Sequence, residues 1–185
     1  RKIIYGQRQD ILEGKDVRAM VDQMIEPAIG TAIDLYLPVE VKKAEYDFAG
    51  LVDWGKRKFG IALMDGALRS STPEEIETLI RSEVKKAYEE HEKKVGTENM
   101  RSTERYLLLD RIDVKWKDHL ATIDHLRGAI GLRSLGQQDP KVAYKREGYE
   151  LFETMLESIR DEVTDLIFKV RLGREAEEAM DHRWQ

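Results

Sequence analysis

One run of apolar residues constrains this chain more than any other feature: Tyr149, Phe152, Leu156, Ile159, Val163, Leu166 and Val170, spaced alternately by three and four. A strand would bring every second residue to one side, whereas this spacing lines one face of an α-helix. It makes a seam suited to lengthwise packing against another helix. A matching seam lies upstream, at Leu109, Ile112, Trp116, Leu120, Ile123, Leu126 and Ile130. Gly131 is suited to close the first helix, and Asp139-Pro140 supplies a cap and a first-turn proline for the second. The pattern predicts an antiparallel hairpin over 105–130 and 140–170, each rod about 40 Å or more at 1.5 Å per residue. The tip falls in 131–139.

The rest of the chain reads in the same period. Ile3, Ile4, Ile11 and Leu12 predict a first helix that stops at Gly14, and Asp16 is placed to cap the next, which carries Val17, Met20, Val21, Met24 and Ile25. Pro27 lacks an N–H and crowds the preceding turn, so a break or kink is expected there, with helix resuming from Ala28 to Tyr36. Between Val39 and Ser71 the pattern is interrupted by glycines, with Asp47 capping a short amphipathic helix from Phe48 to Phe59. Thr72-Pro73-Glu74-Glu75 is a capping box with proline at the first helical position. The charged helix that follows has a thin stripe of Ile76, Leu79, Ile80, Val84, Ala87 and Tyr88, up to a break at Gly96-Thr97. No two-residue alternation persists over a strand's length. The expected class is all-α and elongated, a long antiparallel two-helix hairpin preceded by further helices.

Composition agrees with elongation, because 36% of residues are charged against 41% apolar. The 185 residues carry 31 Lys and Arg against 36 Asp and Glu, a net charge of −5. The absence of cysteine excludes disulfides, thiolate metal sites and a cysteine nucleophile from these residues. The longest nonpolar run, Phe59 to Met64, falls far short of the ~20 residues that a membrane span needs. Arg1 to Arg8 read as a helix already under way, which leads us to expect a segment of a longer polypeptide.

Catalytic signals are weak. Gly50 to Arg57 follows most of the phosphate-cradling pattern G-x-x-x-x-G-K-[ST], but Arg57 replaces the hydroxyl that holds magnesium and Glu45-Tyr46-Asp47 replaces the preceding buried strand. The expectation is an amphipathic surface helix with no nucleotide bound. His119 and His125 are six residues apart and fall on different helix faces, where a metal pair wants three or four. With His91 and His182, they are read as structural or exposed, and no metal site is expected. The carboxylates interleave with Lys and Arg as solvated helix faces do, so none stands out as an acid/base couple. The charge distribution says more: between 127 and 146 five basic residues, Arg127, Arg133, Lys141, Lys145 and Arg146, face Asp139 alone. Leu132 and Leu135 flank Arg133 within that stretch. Such a tip is either an ordinary solvated loop or a contact surface for something acidic: nucleic acid, phospholipid head groups or an acidic protein loop.

Trp116-Lys117-Asp118-His119-Leu120, Asp124-His125-Leu126-Arg127, Ile130-Gly131-Leu132-Arg133, Gln137-Gln138-Asp139-Pro140 and Tyr144-Lys145-Arg146-Glu147-Gly148-Tyr149, in this order, resemble the SecA family of bacterial preprotein-translocating ATPase motors. The resemblance implies that 1–15 end a long scaffold helix, 16–98 form a helical wing, 99–172 form the two-helix finger with its tip loop at 131–139, and 173–185 start a C-terminal tail. Residues 105–170 would pack through Leu109, Ile112, Trp116, Leu120, Tyr149, Phe152, Leu156 and Ile159. ATP and magnesium would belong to motor domains preceding this region, leaving the segment itself non-catalytic and without a cofactor.

The finger of that family reaches the mouth of the SecY channel, contacts the translocating preprotein and restrains ATP hydrolysis. The resemblance therefore implies channel and polypeptide contacts at Leu132, Arg133, Leu135 and Gln137, and a basic tip surface at Arg127, Lys141, Lys145 and Arg146. Implied partners are the SecY channel, preprotein, the nucleotide-binding and preprotein-binding domains of the same parent chain, and anionic lipid head groups, but not nucleic acid. The implied location is the bacterial cytoplasm, peripherally on the inner face of the plasma membrane. Many relatives carry a bulky aromatic at the position of Leu135, a Gly-Ile pair where this chain has Ala129-Ile130, and a glutamate at the position of Ala143. A rival reading, a stand-alone helical adaptor or nucleic-acid-binding module using the basic tip, conflicts with the net acidity.

Overall fold

The computed structural model describes residues 1–133 and 139–170, and all regular structure among them is helical. The helices are α1 (Lys2–Leu12), α2 (Val17–Tyr36), α3 (Phe48–Phe59), α4 (Asp65–Ser70), α5 (Pro73–Val95), α6 (Thr97–Arg133) and α7 (Pro140–Ile167), with a short 3-10 turn at Lys43–Glu45.

Local chemistry fixes most of the boundaries. Asp16 accepts a hydrogen bond from the Ala19 amide, and Asp47 does the same for Gly50 at 2.8 Å. Thr72 and Glu75 close a reciprocal capping box at the start of α5. Each such cap satisfies an amide that would otherwise be orphaned, contributing ~1 kcal/mol. Gly14, Gly60 and Gly96 end their helices at positive φ of 78°, 69° and 92°, where any side chain would be strained.

The architecture is a long two-helix hairpin rooted in a bundle. α6 has 37 residues and α7 has 28, about 55 and 42 Å at 1.5 Å per residue. The pairs Arg111–Glu162, His119–Phe152 and Ile123–Gly148 step past one another in antiparallel register. At the root, α1 and α2, together with α3 and α5, surround the pair. The core there gathers Ile4, Ile11, Val21, Ile29, Leu51, Phe59, Ile80 and Tyr88 with Leu108 and Ile112 of α6 and Met155, Ile159, Val163 and Ile167 of α7. Leu126 and Ile130, further along the hairpin, are buried outside that cluster.

Several expectations need correction. α2 runs unbroken through Pro27, rather than stopping there and resuming at Ala28. Val21, Ile25, Ile29, Ala32 and Ile33 stay buried along one continuous face, and at ~1.5–3 kcal/mol per large apolar side chain this outweighs the ~3 kcal/mol cost of an interior proline. α6 passes Gly131 and continues to Arg133. In α1 only Ile4 and Ile11 are buried, while Ile3 and Leu12 face outward.

The α7 seam is also rotated. Tyr149, expected between the helices, is 65% exposed and Leu166 is 37% exposed, while Met155 and Ile167 are buried instead. Met155, Ile159, Val163 and Ile167 recur every four residues and face the core at the root, whereas Tyr149 lies further out, beyond that core.

Candidate functional site

The hairpin is pinned at its root by charge and along its middle by aromatic packing. Glu162 of α7 receives Arg111 at 3.0 Å and also Lys115, both one turn apart on α6. Burial disfavours the Glu162 charge, but hydrogen bonds from Lys115 and Arg111 outweigh it and hold the carboxyl below its usual range. From α1, Arg8 makes a two-point contact with Asp113 at 2.6 and 2.9 Å, and Tyr5 meets the Trp116 ring edge-on at 6.2 Å. Bidentate geometry fixes direction as well as distance, so α1 clamps the outer side of α6.

His119 sits between Trp116 and Phe152, stacked on the first at 5.5 Å and edge-on to the second at 5.8 Å. It is 9% exposed, and burial pushes its pKa down. Its place is structural, inside the hairpin. His125 is exposed, the His91 pKa is lowered by burial, and His182 lies outside the described residues. Among the described residues no three His, Cys, Asp or Glu side chains cluster as a metal site would require.

Of the expected packing residues, Leu109, Ile112 and Ile159 are buried, and Trp116, Leu120, Phe152 and Leu156 are half-buried. Trp116, Phe152 and Leu156 lie at the edge of the main core, and a groove of ≈ 440 Å³ beside Trp116 and Leu120 is lined also by Arg1, His119, Ile123, Tyr144 and Gly148. A Cβ on Gly148 would stand 3.7 Å from Ile123 Cδ1, an ordinary contact, so the helices do not depend on glycine there.

Arg127 on α6 and Lys141, Lys145 and Arg146 on α7 are all exposed towards the distal end of the hairpin. Leu132 and Arg133 fall in the last turn of α6, but their side chains, like Leu135 and Gln137, lie outside the described residues.

The phosphate-loop look-alike is helix. Gly50 to Arg57 all belong to α3, where the Gly50 amide donates to the Asp47 side chain and the amides that follow donate to carbonyls four residues back, so none is free to cradle a phosphate. Its glycines answer to packing: a Cβ on Gly50 would strike Asp47 Oδ2 at 2.2 Å and Tyr36 Cε1 at 2.7 Å, and one on Gly55 would press Ile61 and Leu63 at 3.1 Å.

Sequence reasoning missed two polar junctions. Lys58, only 9% exposed, bridges α3 to α7 by donating to Asp165 at 2.7 Å, with Asp161 at 3.7 Å. Glu104 of α6 is fully buried, with Arg101 Nη1 2.6 Å from both of its oxygens. Burial pushes the Glu104 carboxyl up to about 8, with Arg18 opposing and Asp22 and Asp16 reinforcing. The two hydrogen bonds from Arg101 act against that push by favouring the charged form. A Glu three residues after an Arg looks like any solvated helix pair, so nothing in the sequence separates Glu104 from the surface carboxylates.

Together these features define an all-helical scaffold bearing a projecting, basic-ended hairpin. A family model described as SecA wing and scaffold domain matches residues 1–171. The protein translocase subunit SecA of Pelotomaculum thermopropionicum is 36% identical over 185 residues, covering 99% of this chain and 21% of that protein. Those of Geobacter sp. strain M21 and Cupriavidus metallidurans are 36% and 38% identical, covering 96% and 93% of this chain and 19% of each relative. This chain belongs to the SecA family. It spans about a fifth of the length of these curated relatives.

Proposed function

We propose that this chain is the wing-and-finger part of a protein translocase motor and that it takes no catalytic part itself. Residues 1–15 end a scaffold helix, 16–98 form the wing and 99–172 the finger. In this reading the finger enters the cytoplasmic mouth of the SecY channel, touches the translocating chain through Leu132, Arg133, Leu135 and Gln137, and restrains ATP hydrolysis elsewhere in the parent. Arg127, Lys141, Lys145 and Arg146 serve the acidic loops or anionic head groups around the channel. ATP and magnesium stay with the motor domains, and the protein works in the cytoplasm against the inner face of the membrane. No helix among the described residues is long and apolar enough to cross a bilayer.

The observation that carries this reading is the hairpin's asymmetry. Its root is held by α1, α2, α3 and α5, whereas the distal ends of α6 and α7 carry exposed basic residues beyond the main core. A rigid rod fixed at one end transmits movement of its base to its tip. Contacts with unrelated polypeptides must tolerate sequence, and apolar burial does so because it demands no matched donors. The test is a photo-crosslinking residue at position 135 of a full-length translocase subunit carrying these residues, with a preprotein stalled in its channel. Adducts to the preprotein and the channel are expected. Adducts confined to the subunit itself would overturn the assignment.

A further inference from the structure

α5 and α6 are joined by a single residue, Gly96, at φ 92° and ψ 141°. Glycine imposes little torsional preference, so the backbone at this joint does not by itself fix the angle between the two helices. Side chains on either side do.

Glu92, in the last turn of α5, takes Arg101 Nη2 of α6 at 2.5 Å, and the same guanidinium holds both oxygens of buried Glu104. The other Glu92 oxygen faces Arg18 of α2 at 3.7 Å, and the Arg18 guanidinium lies 3.3 Å over the Tyr88 ring on α5. Hydrogen bonding from Arg101, against the cost of burial and with help from Arg18 and Thr97, holds the Glu92 carboxyl below its usual range. Two guanidiniums and two carboxyl groups meet at this joint, and Arg101 alone touches both carboxyls.

We propose that Arg18, Glu92, Arg101 and Glu104 form a conformational lock across the Gly96 hinge, setting the angle at which the α6–α7 hairpin leaves α5 and α2. Met100 and Tyr88 are also fully buried at this joint, so water has little access to stabilise Glu104 once Arg101 lets go. Without the two hydrogen bonds from Arg101 the buried Glu104 carboxyl is left unsatisfied, a cost relieved by turning it out towards solvent. Turning out requires the first turns of α6 to rotate about Gly96. The lock therefore has a second state, reached by separating Arg101 from Glu92, in which the hairpin swings relative to α5.

The absence of cysteine makes the test direct, since spin labels attach only where cysteines are introduced. Labels at the exposed positions Glu89 on α5 and Lys117 on α6 report the hinge through their pulsed-EPR distance distribution in this 185-residue chain. The parent is expected to give one narrow distance. Arg101→Met should broaden it or add a second distance, and Arg101→Met with Glu104→Leu should narrow it again, because the unsatisfied buried carboxyl is gone. Arg111→Met, which removes an α6–α7 pair that does not span the hinge, should leave it narrow. If Arg101→Met fails to fold, Arg101→Lys is read in its place, since a single ammonium cannot hold both carboxylates in the same geometry. A folded Arg101 variant with the parent's narrow distribution, or equal broadening in Arg111→Met, overturns the lock.

Discussion

The imidazole of His119 stacks on the Trp116 indole, ring centroids 5.5 Å apart and 28° from parallel, so a titratable ring sits inside the hairpin with aromatic groups on two sides. Burial lowers its pKa from the usual value of about 6.5. As pH falls, the unfolded chain takes up the proton first. The contribution to stability is thus present above about pH 6.5 and lost on acidification through the folded pKa. His91 shifts in the same direction and adds to the loss. Glu104, pushed up to about 8 by burial, has the opposite sign over this range, so the His119 part is read as a difference: between pH 7 and pH 5 the urea midpoint of His119→Phe, which keeps a ring in place, should gain on that of the parent. Equal pH slopes for the two proteins would refute this account of His119.

Gly148 and Gly128 sit inside helices with space around them. A Cβ on Gly148 reaches ordinary contact with Ile123 at 3.7 Å, and one on Gly128 meets nothing within 4 Å. Alanine at either position should stabilise the chain by ~0.5–1 kcal/mol through helix propensity. Gly148→Leu should reverse the sign by forcing the helices apart, and denaturant unfolding separates the three variants.

Gly50 behaves oppositely. Alanine there must displace either the Asp47 carboxylate, which caps α3, or the Tyr36 ring. Loss of the cap and local overpacking should cost ~1–3 kcal/mol. Gly66→Ala, inside α4 with nothing within 4 Å, should instead stabilise slightly through helix propensity, and thermal melting of the two variants checks the opposite signs.

These contrasts show what the sequence made legible. Caps at Asp16, Asp47 and Thr72 were readable because a capping side chain bonds within three residues of itself. The hairpin was readable because both seams are long and lie near one another in the chain. Tyr149 was misplaced because it lies beyond the main core, and how far along the hairpin that core reaches is set by the other helices and not by the spacing of the seam. α2 crossing Pro27, Lys58 reaching α7 and Glu104 under Arg101 all depend on contacts between distant segments. Local spacing does not encode such contacts.

In the proposed reading the finger's tip handles the moving polypeptide through an apolar contact. It is tested most directly by the rate of preprotein import into vesicles bearing the cognate channel, using a full-length subunit with Leu135→Asp or Leu135→Phe. Basal ATP hydrolysis and thermal melting are followed in parallel, because a loop substitution should cost little stability. Leu135→Asp should lose transport while retaining hydrolysis and melting behaviour, and Leu135→Phe should match or exceed the parent. Transport by Leu135→Asp at the parent rate, or a loss that tracks unfolding of the hairpin, would contradict the account.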